Sequence, residues 1–148
     1  DGPEIIFLYN TKFADYDMAT LYRSADCFVI STRGEGWGMP ILEAMACGLP
    51  VIATNWSSQV DFFNERNGYP VNVESLIDAK AKCPYYEGFQ WANPSEEHLV
   101  YQMRYVFEHQ SEAKAKGSFA SQEVRENWTW DAAADKILER LKEIKGNS

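Results

Sequence analysis

Residues 27–54 read CFVISTRGEGWGMPILEAMACGLPVIAT, and this stretch decides the fold. It opens on the apolar run Cys27-Phe28-Val29-Ile30 and closes on Val51-Ile52-Ala53. Continuous apolar runs of this length, without polar alternation, are strands buried on both faces. Between them, Thr32 to Gly38 holds three glycines in seven positions and reads as a loop. Pro40 suits the first turn of a helix, because it has no N–H to leave unpaired there. Gly48 suits the position just past that helix, where a left-handed backbone closes the last turn. A strand, a loop, a helix and a second strand in that order call for parallel pairing.

The same pattern extends outward. Ile5-Ile6-Phe7-Leu8-Tyr9 predicts another buried strand. Asp15 or Asp17 can cap a helix whose face is Met18, Leu21, Tyr22 and Ala25. The first half therefore reads as α/β, a Rossmann-like parallel sheet flanked by helices. Past it, a short strand is expected near Tyr69 to Val73. Residues 74–94 read as irregular, punctuated by Pro84, Gly88 and Pro94. Ser95 caps a helix with Glu96 and Glu97 in its first turn, where the dipole favours acids. Its apolar stripe is Leu99, Val100, Met103, Val106 and Phe107. A further helix carries Phe119, Ala120, Val124 and Trp128. The last begins near Asp131 and turns Ile137, Leu138, Leu141 and Ile144 to the core. Lys145 to Ser148 should fray.

Composition narrows the function. The chain has 148 residues, with 14 Lys+Arg against 22 Asp+Glu and a net charge of −8. That length holds one domain, 1–148, with one core. Hydrophobic residues at 45% and charged residues at 24% are those of a soluble globular protein. No apolar run approaches the roughly 20 residues that span a bilayer, and Asp1 to Glu4 is no signal-peptide start. The negative charge argues against nucleic acid as a partner. Cys27, Cys47 and Cys83 lack CxxC spacing, so neither a disulfide framework nor a zinc site is expected. Cys27 and Cys47 read as small buried hydrophobes, in keeping with a cytoplasmic protein.

Between Phe28 and Val60 only Arg33, Glu35 and Glu43 are charged. Glu35 stands in the glycine loop, and Glu43 sits about one turn into the helix. Helical side chains lean toward the N-terminus, so both carboxylates could face the crevice at the strands' carboxyl ends. Gly36 and Gly38 allow close backbone approach, and the N–H groups of Trp37 to Met39 offer a seat for an anion. Carboxylates accept hydrogen bonds from vicinal hydroxyls. A phosphate seat beside two hydroxyl readers describes a nucleotide-sugar. Each part also has a plainer reading: a tight βα turn for the glycines, a solvated helix residue for Glu43. His98 and His109 read as surface or packing residues, and Trp56, Trp91, Trp128 and Trp130 as residues that pack the core or staple the last helices. Trp37 could pack or touch ligand.

Taken together, Glu35-Gly-Trp-Gly-Met-Pro-Ile-Leu-Glu43-Ala-Met-Ala-Cys-Gly-Leu-Pro-Val-Ile-Ala-Thr54 resembles the signature of the retaining GT-B glycosyltransferases, the group 1 glycosyl transferases, with two glutamates separated by seven residues. Leu21-Tyr22-Arg23-Ser24-Ala25-Asp26 matches the family's LYxxAD helix end. The resemblance implies the C-terminal, donor-binding domain, with Glu35 catalytic beside the donor sugar and Glu43 on the ribose diol. It implies sugar and phosphate contacts from Gly36, Trp37, Gly38 and Met39. It also implies retention of anomeric configuration, a UDP-, GDP- or ADP-sugar as donor, and no metal or other cofactor.

Three departures accompany it. The family's acceptor domain is absent, as are the first βα units, with the Arg and Lys that grip pyrophosphate. Residues 55–61, Asn-Trp-Ser-Ser-Gln-Val-Asp, stand where the family has Gly-Gly-x-x-Glu, with Asp61 at the position of that Glu. The expectation is a glycosyltransferase fragment that binds donor and does not turn over alone, its partner being the acceptor domain of the longer enzyme. Peripheral membrane association of that parent stays open. The alternative is a noncatalytic nucleotide- or partner-binding module. A flavodoxin-like receiver would need an acidic cluster and downstream Lys, or a flavin loop, and neither is found.

Overall fold

The computed structural model describes residues 2, 4–80 and 84–146. Cys83 and the end of the tail, 147–148, lie outside the described residues. The decisive stretch folds as the sequence predicts. Strand β1 (Phe28–Ile30) leads through the loop to helix α2 (Met39–Ala46) and strand β2 (Val51–Thr54), after helix α1 (Asp15–Arg23). Strand β3 (Tyr69–Val71) follows, and the sheet order is β1-β2-β3. Both pairings are parallel, with Val29 opposite Ile52 and Ala53 opposite Pro70. All four residues of β2 are buried, as a central parallel strand requires.

Helix α2 is bounded as its punctuation dictates. Pro40 lies in its first turn, and Gly48 follows Cys47 at φ +83°. The Gly48 N–H bonds Met45 O at 2.9 Å, and the Leu49 N–H bonds Ala44 O at 3.1 Å. This paired closure satisfies two end carbonyls and turns the chain directly into β2. Helix α4 (Gln110–Asn127) covers that end. Ser121 Oγ donates to Ala46 O at 2.8 Å, and Arg125 donates to the same carbonyl through Nε at 3.2 Å and Nη2 at 2.9 Å. Gly117 rests so close on the Gly48–Pro50 turn that a Cβ there would overlap the Gly48 carbonyl oxygen.

One core cluster gathers Tyr22, Ile41, Met45, Val51, Phe62, Phe63 and Val124 between the sheet, α2 and α4. The other, under helix α3 (Glu96–Glu108), joins Ile52, Tyr69, Val71, Val106 and Ala113.

Several expectations need correcting, each for a tertiary reason. Ile5 to Tyr9 form no strand and are exposed. Strand amides are satisfied only by a neighbour, and among the described residues β1 pairs with β2 alone. The same open edge leaves β1 half-buried, with Val29 exposed. Helix α1 is capped by Ala14, with no side-chain cap bond, so neither Asp15 nor Asp17 occupies that position. Among the described residues, 74–94 are not irregular throughout. They contain β4 (Val73–Asp78) and β5 (Gln90–Pro94), an antiparallel hairpin with Ile77 opposite Trp91.

Ser95 caps α3 as expected, accepting the His98 N–H at 3.3 Å. Only part of its stripe turns inward, however. Leu99 and Val106 pack, and Gln102 bonds Pro70 O at 3.2 Å, whereas Val100, Met103 and Phe107 are exposed. Helix α4 turns Ala120 and Val124 inward and leaves Phe119 exposed. Helix α5 (Trp130–Gly146) buries none of its described side chains, so Ile137, Leu138, Leu141 and Ile144 are no core face. Among the described residues no helix is long and apolar enough to cross a membrane.

Cys27 and Cys47 are half-buried rather than buried. Burial, and secondarily the Asp26 charge, pushes the Cys27 thiol up to about 11. At pH 8 its thiolate fraction is then on the order of 0.1%. Cys27 should therefore alkylate with iodoacetamide roughly a hundredfold more slowly than free glutathione at that pH, a difference that peptide mapping measures. Equal rates would show an accessible, ordinary thiol.

Candidate functional site

The loop after β1 opens onto a cleft of about 670 Å³. Residues 31–36 form one wall, Trp56 and Ser57 the floor beyond β2, and Tyr86, Gln90 and Trp91 of the hairpin region the other side. The cleft sits where the chain leaves the carboxyl ends of β1 and β2, the usual ligand position in an open parallel sheet.

Glu35 is half-buried there, and its backbone is pinned from across the sheet. The Ser57 hydroxyl donates to Glu35 O at 2.7 Å and accepts from Glu35 N at 3.2 Å. Ser58 Oγ donates to the same carbonyl at 3.0 Å. Ser57 sits at φ +72°, a left-handed conformation that L residues with a Cβ adopt at a cost of about 1–2 kcal/mol. These hydroxyl contacts, each contributing about 1 kcal/mol, offset that strain. Ser57 thus holds a backbone conformation that glycine would adopt without strain, and the two hydroxyls add a clamp on the carboxylate loop.

The clamp gives a sign test. Ser57→Ala loses the hydroxyl bonds and keeps the strained φ. It should destabilise by about 2 kcal/mol in urea unfolding, and Ser57→Gly by about 1 kcal/mol less because the backbone relaxes. A Ser57→Ala variant as stable as the parent would remove the clamp from the account, and equal stability of the two variants would remove the strain.

The second carboxylate is held differently. Glu43 lies on the exposed side of α2 and accepts the Tyr22 hydroxyl at 2.9 Å. Burial, then the hydrogen bond to Glu43, pushes the Tyr22 hydroxyl well above its ordinary value, so it remains a donor throughout the physiological range. One Glu43 oxygen is thereby oriented from α1, and the carboxylate keeps further lone pairs for a ligand.

Gly38 precedes α2 at φ +84°, and its carbonyl accepts from Ile41 N at 2.9 Å and Leu42 N at 3.3 Å. Pro40 has no N–H, which leaves that of Met39 as the first-turn donor without an intrahelical acceptor. Gly38 is buried, and Met39 is exposed. Trp37 packs against Phe62 and Trp128 at centroid distances of 5.5 and 5.7 Å, and keeps 37% of its surface exposed. Of the six residues singled out in the sequence, the cleft takes in Glu35 and Gly36. Trp37, Gly38, Met39 and Glu43 follow along the start of α2, outside its lining.

The remaining candidates sort by packing. Trp128 joins the first core cluster. Trp130 is exposed, and Trp56 and Trp91 line the cleft rather than a core. His98 Nδ1 accepts the Asn72 N–H at 3.0 Å, and His109 stacks on Tyr105 at the α3–α4 junction, so both pack. Sequence reasoning missed the hairpin residues of the cleft. Their signal was the aromatic content of 85–91 between turn formers, Tyr-Tyr-Glu-Gly-Phe-Gln-Trp.

The comparisons agree with this architecture. O-antigen chain mannosyltransferase B of Escherichia coli is 50% identical over 44 residues, 30% of this chain and 12% of that protein. Sucrose-phosphate synthase of Thermosynechococcus elongatus superposes with a TM-score of 0.65 at 20% identity, covering 88% of this chain and 28% of that one. HepE of Anabaena, solved with UDP and glucose, gives 0.62 at 18% identity, covering 83% and 29%. The chain thus spans under a third of the length of each of these proteins, and the two structures share its GT-B-type α/β fold. The family model "Glycosyl transferases group 1" matches residues 2–83, which include β1, the glutamate loop, α2 and β2. On that match, the chain belongs to the group 1 glycosyltransferases.

Proposed function

We propose that this chain is the donor-binding part of a hexosyltransferase that takes its sugar from a nucleotide-sugar and retains the anomeric configuration. The observation that carries the reading is the differing support of the two glutamates. Glu35 is fixed through its backbone at the cleft, and Glu43 is fixed through its side chain by Tyr22. Rigid support of that kind is what a recognition site needs, because preorganised acceptors lose little freedom on binding. In this reading Glu43 accepts both hydroxyls of the ribose diol, the Met39 N–H meets the distal phosphate, and Glu35 lies beside the hexose. Among the described residues Arg33 is the one cation lining the cleft, and it offsets phosphate charge. No metal takes part.

Turnover needs an acceptor domain as well, so the chain alone binds without transferring. Calorimetry with UDP, GDP, ADP and their glucose and mannose conjugates tests this reading, run with and without EDTA. The expected result is weak binding of one nucleotide series, unchanged by chelation. Binding of none, or sugar transfer by the chain alone, would overturn it. Ser57 and Ser58 in place of a glycine pair favour a second reading, a module that binds nucleotide and no longer transfers sugar. An inactive full-length parent that still binds nucleotide would select that reading.

A further inference from the structure

Three aromatic side chains surround the cleft and belong to neither core cluster: Trp56, Tyr86 and Trp91. Trp91 lies on β5, Tyr86 stands between the two strands of the hairpin, and Trp56 follows β2; Trp56 and Tyr86 do not pack inward. Trp56 keeps 36% of its surface exposed and Tyr86 46%. Trp91 is half-buried behind Tyr86, with ring centroids 5.7 Å apart at 60°, and props it. The hairpin is also tied to the carboxylate loop. The Ala92 N–H donates to Arg33 O at 3.0 Å, two residues before Glu35. Gln90 lines the same side and is exposed.

Flat apolar ring faces set among a few polar groups match a ligand that is itself apolar on one face and rimmed with hydroxyls. A pyranose is such a ligand. Its C–H face lies on an aromatic ring, and its hydroxyls take an amide, which donates and accepts, or a guanidinium, which donates. A nucleobase would also stack. It would have to lie close to its own ribose, however, and the ribose reader of the proposed function, Glu43, lies outside the cleft, along α2.

We propose that the β4–β5 hairpin completes a pyranose subsite beside Glu35, with Tyr86 and Trp56 as stacking faces and Gln90 and Arg33 as hydroxyl partners. This rests on the nucleotide-sugar reading above and deepens it. The ring is either the donor's hexose or the terminal sugar of an acceptor, and one experiment separates the two.

The whole chain, labelled with ¹⁵N, is titrated with methyl α-D-mannopyranoside and methyl α-D-glucopyranoside, and separately with UDP, GDP, UDP-glucose and GDP-mannose. The indole N–H signals of Trp56 and Trp91 are followed. Either they shift with a free pyranoside, which marks an acceptor subsite, or they shift with a nucleotide-sugar beyond its bare nucleotide, which marks a donor subsite. Tyr86→Ala should weaken that response about fivefold, the loss of roughly one aromatic contact. Gln90→Ala, an exposed change that leaves the aromatic faces intact, should weaken it about threefold.

Nucleotide binding with no sugar-dependent shift at Trp56 and Trp91 would sink the subsite and leave the donor reading standing. An unaltered response in both Tyr86→Ala and Gln90→Ala would sink it equally. Silence toward every nucleotide and every pyranoside would overturn both.

Discussion

Glu43→Ala is expected to weaken nucleotide binding about a hundredfold and to leave the fold intact. The magnitude follows from the chemistry. A hydrogen bond to a charged acceptor contributes about 1.5–3 kcal/mol, and a diol makes two of them. Even the lower bound, about 3 kcal/mol, is a factor of roughly a hundred. The fold should survive because Glu43 is exposed and, among the described residues, its side chain bonds the Tyr22 hydroxyl alone. Removing the carboxylate leaves that hydroxyl without its acceptor, which costs about 1–2 kcal/mol. Tyr22→Phe separates orientation from contact. It keeps the carboxylate and removes its tether, so binding should fall only about fivefold, the cost of about 1 kcal/mol for ordering a free side chain on binding. Calorimetry on both variants, with urea unfolding as the stability control, measures each term. Equal losses in the two would mean that Glu43 matters only as a partner of Tyr22.

The largest stability effect is expected at Gly117. It lies buried in α4, and an added Cβ would overlap Gly48 O and lie 2.9 Å from Leu49 C and Pro50 N. Those are backbone atoms of the turn that closes α2 and starts β2, so no side chain can rotate away. Gly→Ala in a helix interior ordinarily stabilises by about 1 kcal/mol. Here the steric term outweighs that gain. Gly117→Ala should destabilise by about 3 kcal/mol or more, as overpacking of a rigid contact does. The midpoint of urea unfolding reports it directly. A stability equal to or above that of the parent would show that α4 can lift off the turn without loss. In that case the bonds from Ser121 and Arg125 to Ala46 O would not be holding the two helices together.

How far the sequence could be read depended on where each element finds its partners. From β1 to β2 the signals are local: two apolar runs, Pro40 and Gly48 mark their own boundaries, and the structure follows them. Ile5 to Tyr9 carry an equally good strand pattern and form no strand, because pattern supplies residues and a strand also needs a neighbour. The hairpin failed in the opposite sense. Glu74, Ser75, Asn93 and Pro94 are poor strand formers, yet cross-strand pairs such as Leu76 with Ala92 set their conformation. The stripes of α3 and α5 were read at the right period, but period does not say how wide a face the neighbours will cover. The glutamate loop was legible from its residue types. The serine clamp was not: it joins positions 22 and 23 residues apart, and nothing local announces it.

The hairpin's attachment has a dynamic consequence. Beyond its own ladder it contributes Ala92 to the buried set, and it meets the carboxylate loop through the Ala92–Arg33 bond. Strand β2, by contrast, is buried along its whole length and paired on both sides. Opening free energies should differ accordingly, because local exchange follows local burial. Amide protons of β2 should exchange with solvent only through global unfolding. Those of β4 and β5 should exchange through a smaller opening that releases Arg33 and leaves the parallel sheet closed. The wall of the cleft can then move on its own timescale, while the clamp from Ser57 and Ser58 keeps Glu35 in register with β2.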